Sequence, residues 1–285
     1  MSFGVDLDKL YADSEFLSSE QYLSIANDLN YNYLKRDFLF KSGVWRESKV
    51  RSISRAPWKF AGKNLVIGHS DIMTNLKAIR MLRLFGVSHL YGTNTIPFQN
   101  ISTTLPLGLT NDCDDSPIHR ILGNTRHLLR AHHASNFPSS YTGSLYVNFT
   151  ASNNEVVRSQ LLKLLNPLKS VEYGETDFSE RGRIHYLSSL RTNSFVVCPE
   201  GNGVDTHRLW ETLYMGGIPI ISKSRYLSGL VSNLPVLQVD DWSQLQDEAF
   251  LESQWSTIHK TVHNFDKLKS SYWFEVMNSK NHDND

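Results

Sequence analysis

Residues Cys198–Ile221 read CPEGNGVDTHRLWETLYMGGIPII, and the parsing of this stretch decides the fold. Two apolar runs flank its centre, SFVVC before and IPIIS after. Both are too short for a helix and rich in β-branched residues, the mark of buried strands. Between them Asp205 or Thr206 can cap a helix of about ten residues that runs out at Gly216 and Gly217, with Pro219 close behind. On that helix Leu209, Trp210 and Leu213 form an apolar stripe, whereas His207, Arg208 and Glu211 fall on the other side at spacings of three and four. The spacing predicts one βαβ unit with its polar groups gathered on a single helix face.

Working outward, the same alternation continues in both directions. Ser18-Ser19-Glu20-Gln21 reads as a capping box opening a helix through YLSIANDLNYNYLKRDFLF. An irregular basic stretch follows to about Lys63. After it come a strand (NLVIG), a helix (TNLKAIRMLRLF), a strand (SHLYG), a loop around TLPLGL and a helix through IHRILGNTRHLLRAHH. SNFPSSYTGS, residues 135–144, collects Pro, Gly and Ser and predicts a linker. Beyond it lie LYVNFT, EVVRSQLLKLL, SVEYG, the helix around GRIHYLSSL, the quoted unit and PVLQVD, an alternation that predicts an open, doubly wound sheet. The fold class is therefore α/β, with residues 1–140 as one Rossmann-like domain, 141–245 as a second, and 246–285 as a helical segment packing back on the body before a disordered tail.

Composition excludes several function classes. The 285 residues carry 29 basic and 29 acidic side chains, so no global charge draws the protein to nucleic acid or an anionic membrane. The N-terminus has no basic start and no continuous apolar stretch, and no window has the length of a membrane span, so the expectation is a cytoplasmic protein without an integral membrane segment. Of the two cysteines, Cys198 falls in a predicted buried strand and reads as an inert core thiol.

The quoted loop has the chemistry of an anion site. In an open α/β sheet, ligands collect beyond the carboxyl ends of the strands. Gly201, Asn202 and Gly203 lie at such an end; the glycines let the backbone approach a ligand, and the free N–H groups of the following helix face outward with the positive end of its dipole. Arg208 can hold a diphosphate by charge-assisted hydrogen bonds, and Glu211, one turn deeper, can accept two ribose hydroxyl hydrogens. The plain alternative is an Arg–Glu pair on a solvated helix face. Arg158, in FTASNNEVVR, stands near the start of the helix after the first strand of the second domain and is either a further phosphate ligand or a solvated arginine.

The run FVVCPEGNGVDTHRLWETLYMGGIPII, residues 195–221, resembles the signature of exostosin-like glycosyltransferases and their bacterial and viral relatives: a strand ending in C-P or S-P, a G-N-G-x-D loop, then H-R-x-W-E-x-L and G-x-I-P. RGRIHYLSSLRTNSF and YGTNT...TLPLGL are similar to further segments of that family. The resemblance implies the GT-B architecture, two Rossmann-like domains facing across a cleft with a nucleotide-sugar donor on the second. It also implies that Arg208 and Glu211 bind the donor's diphosphate and ribose; Gly201, Asn202, Gly203, Asp205, His207 and Arg158 are the further candidates for the donor site, and the expected partner substrate is a glycan or another hydroxyl acceptor.

Inverting transfer needs a base for the acceptor hydroxyl. VIGHSD, residues 66–71, ends a predicted strand with His69 and Asp71; Asp71 is the expected base, with His69 behind it, unless Asp71 only caps the following helix. Asp112-Cys113-Asp114-Asp115 contains D-x-D, a carboxylate pair that can hold a divalent cation. No metal or cofactor is expected to be required, since a helix dipole and Arg208 can neutralise a leaving diphosphate. Two rival readings remain. In one, the glycine loop with Lys223 and Arg225 serves an NADP-dependent oxidoreductase; in the other, the chain is a non-catalytic nucleotide-sugar-binding module. Substituting Glu211 or Arg208 by alanine is expected to abolish donor binding and leave the fold intact.

Overall fold

In a computed structural model of the chain, the described residues are 4–34, 40–41, 44–45, 60–70, 73–111 and 117–279. Eleven strands among them run in chain order: β1 (Asn32–Tyr33), β2 (Phe40–Lys41), β3 (Val44–Trp45), β4 (Asn64–Ile67), β5 (His89–Thr93), β6 (Ser102–Leu105), β7 (Leu145–Val147), β8 (Val171–Tyr173), β9 (Phe195–Val197), β10 (Pro219–Ser222) and β11 (Leu237–Val239). They form two parallel sheets, one of order β1-β4-β5-β6 and one of order β11-β10-β9-β7-β8, beside a small antiparallel ribbon of β2 and β3. The second sheet starts at β7, adds β8 on one side, then returns to add β9, β10 and β11 on the other. The winding reverses between β7 and β9, and a crevice opens there at the carboxyl edge of such sheets.

The period of two along each strand explains how the layers are glued. Leu65 and Ile67 of β4 enter a cluster with Ile79, Leu82 and Leu90 on one face, while Val66 between them faces the other way. In the second sheet Leu145, Val147, Phe195 and Val197 pack toward Leu161, Leu237 and Trp255. Tyr146 and Val196 face the same cluster as Val66, Tyr91 and Leu105, so the two sheets share one continuous core. The Ser270–Ser279 helix joins that core through Trp273 and Met277, and the Tyr31 and Tyr91 hydroxyls donate to the Met277 carbonyl at 2.9 and 3.2 Å.

Some elements differ from the sequence expectation. The helix opened by Ser18 ends at Asp28, because Asn30 takes φ 55° and the tyrosine-rich segment after it pairs with β4 instead. The predicted helix through IHRILGNTRHLLRAHH is two helices, Pro117–Leu122 and Thr125–Ala134, with Asn124 capping the second through its side chain. His127 of the second is buried with Nδ1 at 3.1 Å from the Ile121 carbonyl. Polar β6, read as a loop, is a strand because β5 supplies its ladder. Asp71, the D-x-D at Asp112–Asp114 and the tail beyond residue 279 lie outside the described residues.

The His207–Tyr214 helix sits at the centre of the molecule. Gly216 at φ 72° ends it: the Gly216 N–H bonds the Leu213 carbonyl and the Gly217 N–H the Thr212 carbonyl, the paired bonds of a Schellman end. A Cβ at Gly217 would stand 2.2 Å from the Leu190 carbonyl oxygen, so no larger residue fits. At the other end a buried joint ties the helix to the first sheet. The Asp205 carboxylate accepts from the Leu107 N–H and the Trp210 Nε1–H, both at 2.7 Å, and the Asp205 N–H donates to Asn94 Oδ1 at 2.8 Å. Asn94 Nδ2 in turn donates to the Ser70 carbonyl at 2.7 Å.

Burial pushes the Asp205 carboxyl up to about 7, against the pull of its N–H donors. A carboxyl raised on folding contributes stability that is fully present below its unfolded pKa, about 4, and lost as pH rises through about 7. Asp205→Asn is expected to cost about 1–3 kcal/mol in urea denaturation, since one N–H donor loses its acceptor. The deficit relative to wild type should be largest near pH 4 and narrow above pH 7; a deficit that widens with pH would contradict this account of the joint.

Candidate functional site

A cavity of about 390 Å³ opens where the winding of the second sheet reverses. Asn148, Phe149 and Thr150 line it from the end of β7, Thr206, His207, Arg208 and Glu211 from the start of the central helix, and Arg183 and Tyr186 from the Glu180–Thr192 helix. Arg158 closes its floor, and Glu175, Asp177 and Phe178 form an exposed rim. No side chain caps the central helix at Thr206, and Thr206, His207 and Arg208 line the cavity, so the positive end of the helix dipole faces it.

The floor is rich in buried positive charge. Arg158 and Arg183 are 5% and 4% exposed, and Arg208 is half-buried. Arg158 and Arg208 flank one ring, their guanidinium carbons 5.5 and 6.0 Å from the Phe149 centroid. Arg158 donates to the carbonyls of Glu200, Thr150 and Pro199 at 2.9, 3.1 and 3.5 Å, buckling the end of β7 to the end of β9. Burial, and then the Arg208 charge, push its guanidinium down to about 10, so it stays charged at neutral pH. Arg208 donates to the Asn148 carbonyl. Burial opposes its charge, but the facing Tyr186, Cys198 and Glu211 more than offset that and raise it.

Glu211 is the buried carboxylate that answers these cations. Arg183 Nη2 donates to Oε1 at 2.6 Å and the Tyr186 hydroxyl to Oε2 at 2.8 Å. Burial resists its ionisation, yet Arg183 and these hydrogen bonds hold it below the ordinary glutamate range. Tyr186 moves the other way, raised by burial and by the Glu211 charge. Three guanidinium groups thus meet one buried carboxylate; the acids at the mouth are exposed and screened by water. The Nε–H groups of Arg183 and Arg208 are buried without a hydrogen-bond acceptor. That is a charge pattern made for an anion.

Of the residues singled out from sequence, His207, Arg208, Glu211 and Arg158 come together on this cavity. His207 Nδ1 lies 2.8 Å from the Gly108 carbonyl, which can only accept, so Nδ1 carries the hydrogen and the lone pair of the neutral ring belongs to Nε2. The His69 ring stacks on it at 5.7 Å. Gly201, Asn202, Gly203 and Asp205 are not among the lining residues. A Cβ at Gly203 would meet Asn94 Nδ2 at 2.5 Å and one at Gly201 would meet Arg158 Nη2 at 3.0 Å, so the glycines admit protein side chains, and Asp205 belongs to the joint. Lys223, considered for a 2′-phosphate, pairs with Asp240 at 2.8 Å, and neither it nor Arg225 lines the cavity. Burial pushes the Cys198 thiol up to about 12, leaving it inert.

Arg183 and Tyr186 were not identified from sequence. The signal was present: positions 183, 186, 187 and 190 share one helix face, and an arginine on a face with Leu187 and Leu190 must find a buried partner. That partner also corrects the expectation of a fold-neutral Glu211→Ala, because removing the carboxylate strands a buried arginine.

No family model and no curated protein matches the sequence. Among solved structures, the chain is similar to spinosyn rhamnosyltransferase SpnG complexed with thymidine diphosphate, at 12% identity over 85% of this chain and 69% of that one, with a TM-score of 0.36. It is also similar to α,α-trehalose 6-phosphate synthase from Burkholderia multivorans, at 7% identity over 76% of this chain and 64% of that one, with a TM-score of 0.35. No helix among the described residues is long and apolar enough to cross a membrane.

Glu211→Ala is expected to destabilise the fold by about 3–5 kcal/mol, as loss of one partner of a buried pair does, and pairing it with Arg183→Met should recover much of that loss. The Glu211 contribution is present above the unfolded glutamate pKa of about 4.3 and lost as pH falls through its lower folded value. Denaturation curves for the single and double variants check the pair; a neutral Glu211→Ala would show that the ion pair does not form.

Proposed function

We propose that the chain is a glycosyltransferase that takes a sugar from a nucleoside-diphosphate donor and passes it to a hydroxyl acceptor. The observation that carries this reading is the pairing of Arg158 and Arg208 across Phe149 at the uncapped start of the central helix, with Glu211 one turn deeper. A diphosphate supplies the negative charge that this floor is short of, and the helix N-terminus supplies further donors. The cavity volume of about 390 Å³ falls in the range of small-molecule sites.

The pyrophosphoryl oxygens would take Arg208 and the first N–H groups of the helix, with Arg158 behind them as a fixed positive charge. Glu211, whose oxygens each keep a lone pair beyond their Arg183 and Tyr186 bonds, would accept from the ribose hydroxyls. In the transfer, the acceptor oxygen forms a bond to the anomeric carbon as the bond from that carbon to the phosphate oxygen breaks. The nucleoside diphosphate leaves with the electron pair, onto Arg208 and the helix end. The acceptor proton goes to a base on the first-sheet side, where His69 stands beside His207; Asp71, the base expected from sequence, lies outside the described residues. This chemistry needs no metal in the proposed scheme. The resemblance of residues 195–221 to exostosin-like glycosyltransferases supports the same reading.

A thermal-shift panel of UDP, GDP, ADP, TDP and NADPH tests it. One nucleoside diphosphate is expected to stabilise the wild type, by about 2.7 kcal/mol at a hundredfold excess over its dissociation constant, and Arg208→Gln should remove most of that gain. Stabilisation by NADPH alone, or an equal response in the variant, would sink the proposal.

A further inference from the structure

A second cavity, of about 400 Å³, lies beside the first. Thr110 lines both, and the chain passes from one lining to the other between Leu122 and Gly123. The second cavity is walled by the 11–21 segment and the start of the Thr125–Ala134 helix. Ser18 caps the Ser19–Asp28 helix by accepting from the Gln21 N–H, and the bridge of Ser18 to Leu109 fixes this wall to the chain leaving β6. The Phe16 ring of this wall is seated edge-on against Tyr214 of the central helix at 5.1 Å.

The linings have opposite chemistry. The first cavity has three arginines; the second has no arginine or lysine among the described residues that line it. It presents instead the aromatic rings of Tyr11 and Phe16, the hydroxyls of Ser18, Thr110 and Thr125, the amide of Gln21 and the carboxylate of Glu20. Hydroxyls and an amide both donate and accept, a carboxylate accepts, and aromatic faces take apolar C–H surface. A phosphorylated or otherwise anionic ligand would meet Glu20 and no lining cation, whereas a neutral polyhydroxyl ring matches every group.

We infer that this second cavity binds the acceptor, and that the acceptor is a neutral saccharide whose reacting hydroxyl points past Thr110 into the arginine cavity. The inference rests on the transferase reading above and adds to it the acceptor class and its place. Charge sorts the two substrates: the diphosphate-bearing donor is held by the arginine floor, the neutral acceptor by the hydroxyl-lined wall.

The test is saturation-transfer NMR on the full chain with the methyl glycosides of glucose, galactose, mannose, rhamnose and N-acetylglucosamine, and with methyl glucuronide as the anionic control. At least one neutral glycoside is expected to bind and the glucuronide to bind more weakly. Gln21→Ala combined with Thr125→Ala, two small polar deletions, should weaken the neutral glycoside by roughly tenfold and leave the thermal shift with the nucleoside diphosphate in place. Absence of binding by every neutral glycoside, equal binding by the double variant, or displacement of the glycoside by the nucleoside diphosphate would each overturn the inference. A glycoside that binds while no nucleoside diphosphate does would instead defeat the donor reading and leave this cavity standing, so the two failures are told apart.

Discussion

The His207–Tyr214 helix is enclosed on nearly every side, and that one constraint organises the molecule. A buried helix cannot leave polar side chains to water, so each of them has to find a partner from the surrounding elements. Glu211 finds Arg183 and Tyr186 on the neighbouring helix. The Tyr214 hydroxyl accepts from the Leu17 N–H and donates to the Leu268 carbonyl, stitching together the N-terminal segment, the centre and the C-terminal segment. Asp205, just before the helix, binds the loop after β6. His207 and Arg208 remain at the helix start and border the cavity. The position of the site follows from where the burial of this helix stops.

The electrostatics follow from the same enclosure. Arg158 is anchored by three carbonyl oxygens, which orient a guanidinium without neutralising it. The Arg208 guanidinium carbon lies 6.0 Å from the centroid of the same Phe149 ring that Arg158 approaches at 5.5 Å, so two like charges border one ring. Burial, and after it the Arg208 charge, push Arg158 down. Under the proposed function a diphosphate would meet guanidinium groups already held in place, the sense in which a preorganised site gains affinity.

Much of this was legible in the sequence. β-branched runs such as FVV and IPII must be buried strands, and their alternation with helices leaves a parallel sheet as the economical arrangement. His207, Arg208, Glu211 and Arg158 were each picked out by their places at strand ends and helix starts. What escaped was everything that depends on a neighbour distant in sequence. Ser102–Leu105 is too polar to read as a strand, and it is one because β5 lies alongside. Gly203 reads as room for a ligand, whereas its missing Cβ makes room for Asn94, more than a hundred residues earlier. Glu211 reads as a ribose acceptor or as a solvated partner of Arg208, and its buried pairing with Arg183 comes from another helix. Local pattern specifies elements; which side chain fills which gap is set by tertiary packing.

The central claim is that the start of the His207–Tyr214 helix, with Arg208 and Arg158, holds a diphosphate. The most direct measurement is a crystal structure of the chain soaked with the nucleoside diphosphate that stabilises it. The account requires phosphate oxygens within hydrogen-bond distance of Arg208 and the first helix N–H groups, and the ribose hydroxyls against Glu211. Phosphates lodged beside Lys223 instead, or a nucleotide that leaves the arginine floor untouched, would contradict it.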